Sequence, residues 1–223
     1  MDTDPASPVV RLIQAHFPIL PVPSLPQLRL HKAGPRSGLW RLAEMDEQGF
    51  GPPYWAHYWG GGLALARYIL DHPAAVAGRR VLDLGAGSGI VGIAAAKAGA
   101  REVIAADIDR YDEIATGLNA AANGVTVSTR LGDILDDPPP SVDTVLVGDL
   151  FYERALAERA TAFLDSCLRL RIDVLVGDPW RAHLPRARLA LVAEYPVLDF
   201  GNAAPQAAAV FSFVPPARHD GGT

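Results

Sequence analysis

Apolar residues recur along this chain with two spacings, and the place where the spacing changes divides it. From Arg79 onward, short apolar runs alternate with helical stripes. Val81–Leu84, Val103–Ala106, Val125–Thr129, Val142–Val147 and Ile172–Val176 read as strands, and Val142–Val147 is apolar throughout, like a strand buried on both faces. Ile90–Ala98, closed by Gly99, and Asp109–Asn123 read as helices. A longer helix begins at Glu153, with Leu156, Ala160, Phe163, Leu164, Cys167 and Leu168 on one face. Leu189–Val197 and Ala207–Val214 have no helical pattern between them and read as a terminal antiparallel hairpin. The alternation predicts an α/β fold, a parallel sheet with helices on both faces.

The first third is irregular. Val9–Ala15 predicts a helix that Pro18, Pro21, Pro23 and Pro26 cannot continue. Short extended pieces are expected at Leu28–His31 and Leu39–Ala43. An aromatic stretch follows, Gly51-Pro52-Pro53-Tyr54-Trp55-Ala56-His57-Tyr58-Trp59, then Gly60-Gly61-Gly62 and a helical face of Leu63, Ala66, Ile69 and Leu70 that ends near Asp71-His72-Pro73. Residues 1–75 are expected to be an extension packed on a core of residues 76–223.

Composition narrows the function classes. A chain of 223 residues with 49% hydrophobic and 20% charged residues is ordinary globular protein with room for one sizeable core. The net charge of −5 gives no nucleic-acid footprint. The single cysteine, Cys167, forms no intramolecular disulfide, and its place in a helical stripe predicts core packing. Asp2 and Asp4 are unlike a signal peptide, and Arg67 and Lys97 interrupt the most apolar stretches, so neither secretion nor membrane insertion is expected. The expected location is the cytoplasm, or the mitochondrial matrix if the source is eukaryotic. The histidines have no metal-ligand spacing and no cysteine pair accompanies them, so no metal is expected.

Candidate chemistry begins at Asp83-Leu84-Gly85-Ala86-Gly87-Ser88-Gly89, between a strand and a helix. Gly85, Gly87 and Gly89 permit a tight turn and a close ligand, and the helix start favours a negative group. Gly87–Gly92 also fits GxGxxG, which alone would suit a dinucleotide. Charge separates the two ligands. A pyrophosphate would meet Asp83 at close range, whereas S-adenosylmethionine has a cationic ammonium and sulfonium for Asp83 and a carboxylate for the loop amides. Asp107, ending the next strand, is placed for both ribose hydroxyls. Asp133 falls where an adenine amine could be read, and equally fits a surface aspartate. These residues read as an S-adenosylmethionine site.

At this point the chain resembles the class I, seven-stranded methyltransferases, through Val81–Gly89 and Asp107. The resemblance spans about Val76 to Val214 and implies sheet order 3-2-1-4-5-7-6 with the last strand antiparallel.

Gly51-Pro52-Pro53-Tyr54 lacks the acid or amide of nucleic-acid amino-methylases and precedes the glycine loop. Gly148-Asp149-Leu150-Phe151-Tyr152, ending the fourth core strand, is instead a D-x-x-Y signature like that of lysine-directed seven-stranded methyltransferases. Pro52–Trp59 with Gly61-Gly62, and Gly177-Asp178-Pro179-Trp180-Arg181, resemble segments of the electron transfer flavoprotein β subunit lysine methyltransferase family, with Trp180 a departure where relatives carry glycine. Ribosomal protein L11 methyltransferases are similar, but their Asn-containing motif after strand four is absent here. The resemblance implies a protein-lysine N-methyltransferase with electron transfer flavoprotein β subunit as protein partner. A small-molecule or ribosomal-protein N-methyltransferase, and a non-catalytic cofactor-binding module, are the alternatives.

Lysine methylation sets a physical demand. A lysine amine, with a reference pKa near 10.4, costs about 4.6 kcal/mol to neutralise at pH 7. An apolar aromatic channel lowers that cost, and Trp55, Trp59, Phe151 and Tyr152 are candidate walls. Asp149 attracts the lysine yet raises its pKa, so it is expected to orient the amine, with Tyr152, or to contact the cofactor's ammonium; a helix cap with a packed ring also fits. Trp59 is read either as cofactor-binding or as core packing. Asp178 and Arg181 fit substrate contact or an ion pair within their loop.

Overall fold

The fold was obtained as a computed structural model, in which residues 7–34, 37–40, 44, 53–198 and 204–216 are described. A seven-stranded sheet organises the chain. Its strands are β3 (Arg80–Leu84), β4 (Glu102–Asp107), β5 (Ser128–Leu131), β6 (Thr144–Gly148), β7 (Asp173–Asp178), β8 (Leu189–Val197) and β9 (Gln206–Phe213). The order is β5-β4-β3-β6-β7-β9-β8, with β9 antiparallel to both neighbours and the other pairings parallel. Counted within the sheet this is 3-2-1-4-5-7-6, the order the resemblance implied.

Alternation along β3 shows how the sheet joins two cores. Val81 faces a cluster with Leu65, Ile69, Ile93 and Ala94, from the helices α2 (Gly60–Asp71) and α3 (Ile90–Lys97). Leu82 faces a second cluster with Phe163, Leu164 and Cys167, on α5 (Arg154–Arg169). Successive strand side chains point to opposite faces, so both sides of the sheet are buried. The helix α4 (Arg110–Ala122) begins at Asp109, whose carboxylate accepts the Tyr111 amide at 2.8 Å.

The amino-terminal segment packs on this core. Its helix α1 (Pro8–His16) leads into a hairpin of β1 (Ile19–Val22) and β2 (Leu25–His31). The prolines that stop α1 are tolerated in this two-stranded ribbon, where both strands are edges. Only Leu28–His31 was expected to be extended. Asn119 and Asn123 of α4 fasten the hairpin: Asn119 Oδ1 accepts the His31 amide at 2.7 Å, and Asn123 Oδ1 accepts the Arg29 amide at 3.0 Å. The expected piece Leu39–Ala43 lies largely outside the described residues, as do Gly51 and Pro52.

Two element boundaries differ from expectation for identifiable reasons. The third core strand starts at Ser128 rather than Val125, because α4 closes through left-handed Gly124 (φ 66°) and the Val125 amide bonds back to Ala120 O at 3.1 Å. The helix expected from Leu63 starts at Gly60, taking in all three glycines. Among the described residues, no helix is long and apolar enough to cross a membrane.

Candidate functional site

The carboxyl-terminal ends of β3, β4 and β6 open into one cleft of about 900 Å³. The loop after β3 supplies its floor. Gly85, Gly87 and Gly89 all have positive φ (70°, 53° and 76°). At Gly89 the need is doubled, since a Cβ would also press on the Thr116 side chain at 2.7 Å. Asn119 Nδ2 donates to Ser88 O at 2.8 Å and Thr116 Oγ1 to Gly87 O at 3.2 Å, so α4 fixes the loop from the side. A Cβ on Gly87 would meet nothing within 4 Å, which leaves its backbone open to a ligand.

Three carboxylates expected at this end line the cleft, each already engaged. Asp107 Oδ2 accepts the Gly87 amide at 2.9 Å, and its Oδ1 accepts the Ile108 amide at 2.7 Å. Asp83 is buried beneath the loop, with Oδ2 on the Gly92 amide at 2.7 Å; burial pushes its carboxyl up to about 7. Asp133 is held outward by Arg159 at 2.9 Å and accepts the Leu135 amide at 3.1 Å; the Arg159 hydrogen bond lowers its pKa. Sequence reasoning missed Asp112, a 4% exposed cleft residue on the first turn of α4. Its carboxyl is pushed up to about 11, by burial first and by Asp107 next. It shares the inward face of α4 with Ala115, Thr116 and Asn119, a face that only the fold reveals.

At the other end, Asp149 is a junction. It follows β6 with φ 57°, a left-handed conformation that few non-glycine residues adopt. Its Oδ2 accepts the Gly62 amide at 2.7 Å, serving one of the unpaired N–H groups at the start of α2, and its Oδ1 accepts Arg181 Nη2 at 2.7 Å. Burial raises its pKa to about 6 against the lowering effect of Arg181. The approach of α2 to the strand ends depends on glycine: a Cβ on Gly61 would collide with the Gly177 carbonyl, and one on Gly177 with the Gly61 carbonyl. This explains the glycine at position 61 inside a helix.

Arg181 lines the cleft, but Asp178 does not. Asp178 is fully buried at the end of β7 and accepts the Arg181 amide at 2.6 Å, so it shapes the loop while the ion pair forms with Asp149. Burial raises its pKa to about 6. Trp180, also left-handed (φ 64°), is braced edge-on against Phe211 at 5.0 Å and donates to Glu194 at 3.1 Å.

The aromatic candidates separate. Trp59 lines the cleft, with Nε1 donating to Tyr54 O at 3.1 Å, and Tyr152 stands half-exposed at the mouth. Tyr54 lies between them, 5.7 Å from the Trp59 ring and 5.8 Å from Tyr152, and completes the wall. Trp55 and Phe151 do not line the cleft. Trp55 is stacked between Phe17 and Tyr111 at 5.7 and 6.0 Å, and Phe151 is fully buried beneath α5. Cys167 is fully buried, its thiol pushed up to about 12 by burial, as a core cysteine.

The donor set fits S-adenosylmethionine better than a phosphate ligand. The cleft wall carries Asp83, Asp107, Asp133 and Asp149, which suit hydroxyls and cationic groups, and a glycine loop at a helix start, where the helix dipole suits a carboxylate. Among the described residues no group of three or more His, Cys, Asp or Glu could hold a metal ion.

Comparison with known proteins agrees with this geometry. The family profile of ribosomal protein L11 methyltransferase (PrmA) matches residues 66–148. The electron transfer flavoprotein beta subunit lysine methyltransferase of Rattus norvegicus is 38% identical over 176 residues, covering 76% of this chain and 69% of that protein. Its counterpart from Homo sapiens is 38% identical over 180 residues, covering 78% and 68%. Among solved structures, the ribosomal protein L11 methylase of Lactobacillus delbrueckii subsp. bulgaricus superimposes with a TM-score of 0.50 at 24% identity, over 68% of this chain and 77% of that one, which shows a shared fold.

Proposed function

The chain belongs to the electron transfer flavoprotein β subunit lysine methyltransferase family, an S-adenosylmethionine-dependent methyltransferase family, and from that premise we propose that it methylates lysine side chains of electron transfer flavoprotein β subunit. The observation that carries the reading is the placement of Asp149 and Tyr152 at one end of a cleft whose other end holds the glycine loop and Asp107. When bound, S-adenosylmethionine supplies an electrophilic methyl group on a sulfonium, which a neutral amine can take by in-line displacement.

The residues of this chain divide the remaining work. Asp107 holds the ribose hydroxyls, the glycine loop at the helix start receives the cofactor's carboxylate, and Asp83 adds negative potential beneath the loop. Trp59, Tyr54 and Tyr152 form an aromatic wall that desolvates an entering ammonium and favours its neutral form. Asp149 orients the amine. Arg181 balances the charge of Asp149, so the cleft does not hold the acceptor as an ammonium as strongly as a lone carboxylate would.

The test is transfer of labelled methyl from S-adenosylmethionine by the purified protein. Electron transfer flavoprotein β subunit, ribosomal protein L11 and a protein-free metabolite extract are offered in parallel. Label on lysine of the flavoprotein subunit is expected. Label on L11 or on small molecules alone would overturn the assignment of substrate.

A further inference from the structure

Asp107 and Asp112 form an acid pair whose two members sit in different surroundings. Asp107 accepts backbone amides on both oxygens, from Gly87 at 2.9 Å, Ile108 at 2.7 Å and Asp109 at 3.3 Å. Asp112 is buried on α4 behind it, and its Oδ1 has no hydrogen-bond partner. The charged groups around the pair are mostly of the same sign: Asp109 at the start of α4 and Asp83 from β3, with Arg110 on the solvent side turned to the Tyr111 hydroxyl and ring. Asp112 is the buried member of the pair and the one without amide donors, so it is the one that keeps the proton.

We propose that Asp112 is a positioning residue that stays protonated at neutral pH and donates a hydrogen bond to Asp107, fixing the Asp107 carboxylate toward the ribose hydroxyls of the cofactor. The pair offers the nucleoside end one negative charge rather than two. An ionised Asp112 would push against Asp107 and loosen the loop that Asp107 holds through Gly87. The inference rests on the S-adenosylmethionine reading of the cleft and is independent of which substrate is methylated.

Two measurements test it, with S-adenosylhomocysteine as the probe. Asp112→Asn is neutral and can still donate, so its dissociation constant should stay within about threefold of wild type. Asp112→Leu fills the space without a donor and should bind about tenfold more weakly or worse, the scale of a lost hydrogen bond to a charged group. The second measurement needs no ligand. If the folded state keeps a proton that the unfolded chain releases near pH 4, the folding constant of wild type falls about tenfold per pH unit relative to Asp112→Asn between pH 5 and 9. The other buried acids are common to both proteins and cancel in that ratio. A ratio independent of pH, or binding by Asp112→Asn as weak as by Asp112→Leu, would overturn the proposal. Wild-type protein that fails to bind S-adenosylhomocysteine would overturn the cofactor site beneath it.

Discussion

Asp149 and Gly62 stand 87 residues apart in sequence and are joined by a 2.7 Å hydrogen bond between the carboxylate that ends β6 and an amide in the first turn of α2. Through it, the aromatic segment leading into α2 and the D-x-x-Y turn become two walls of one cleft. Asp149→Asn keeps the left-handed turn, which asparagine tolerates, and keeps an acceptor for Gly62. It removes the charge opposite Arg181. Methyl transfer should fall at least about 100-fold while the thermal midpoint moves little. Asp149→Ala also loses the acceptor and strains the backbone, and should destabilise by about 3 kcal/mol. Turnover by Asp149→Asn near the wild-type rate would remove Asp149 from the reaction.

Neighbouring glycines in α2 should respond in opposite ways. A Cβ on Gly61 collides with the backbone of Gly177, which no rotamer change relieves, so Gly61→Ala should cost more than about 3 kcal/mol or prevent folding. A Cβ on Gly62 meets Ile90 Cγ2 at 3.5 Å, an ordinary contact, inside a helix that favours alanine. Gly62→Ala should be neutral or stabilising by up to about 1 kcal/mol. Denaturant midpoints of the two variants decide the matter, and equal effects would refute the close approach of α2 to the strand ends.

Periodicity made the central strands legible, because β3, β6 and β7 are buried on both faces and their apolar runs admit little else, while the order of the sheet came from the family resemblance carried by the glycine loop and Asp107. The start of α2 was hidden, since Gly60-Gly61-Gly62 is a poor helix former by propensity and is helical here for the sake of tertiary fit against Gly177 and Gly148. Asp112 was hidden for a related reason. Nothing local distinguishes it from the helix-start acids Asp109 and Glu113, and only the fold turns it inward. The aromatic stretch has neither helical nor strand period, so sequence could not say which of Tyr54, Trp55 and Trp59 faces the cleft.

That separation of the aromatics can be measured. Trp55 is stacked between Phe17 and Tyr111, and Trp55→Ala should destabilise by about 3–5 kcal/mol as a core truncation. Tyr152 stands half-exposed at the cleft mouth, and Tyr152→Ala should leave stability within about 1 kcal/mol while lowering kcat/KM at least about tenfold. If Tyr152→Ala proved the more destabilising of the two, the assignment of wall and core would be reversed.

Asp178 gives the last prediction its sign. It is fully buried, one oxygen on the Arg181 amide and the other without a partner, and burial raises its pKa to about 6 in the folded state. The unfolded chain titrates near pH 4, so between those values the fold binds a proton that the unfolded chain has released. Its ionisation therefore costs stability as pH rises from about 4 to 6, and the full cost persists above pH 6. Asp178→Asn keeps an acceptor for the Arg181 amide and removes the charge. Relative to wild type it should gain about 1–3 kcal/mol between pH 4 and 6 and no more between pH 6 and 8. Urea unfolding of both proteins across that range measures the difference. A gap that shrank with rising pH would mean that Asp178 is stabilised as a carboxylate in the fold, with a partner charge nearer than Arg181 provides.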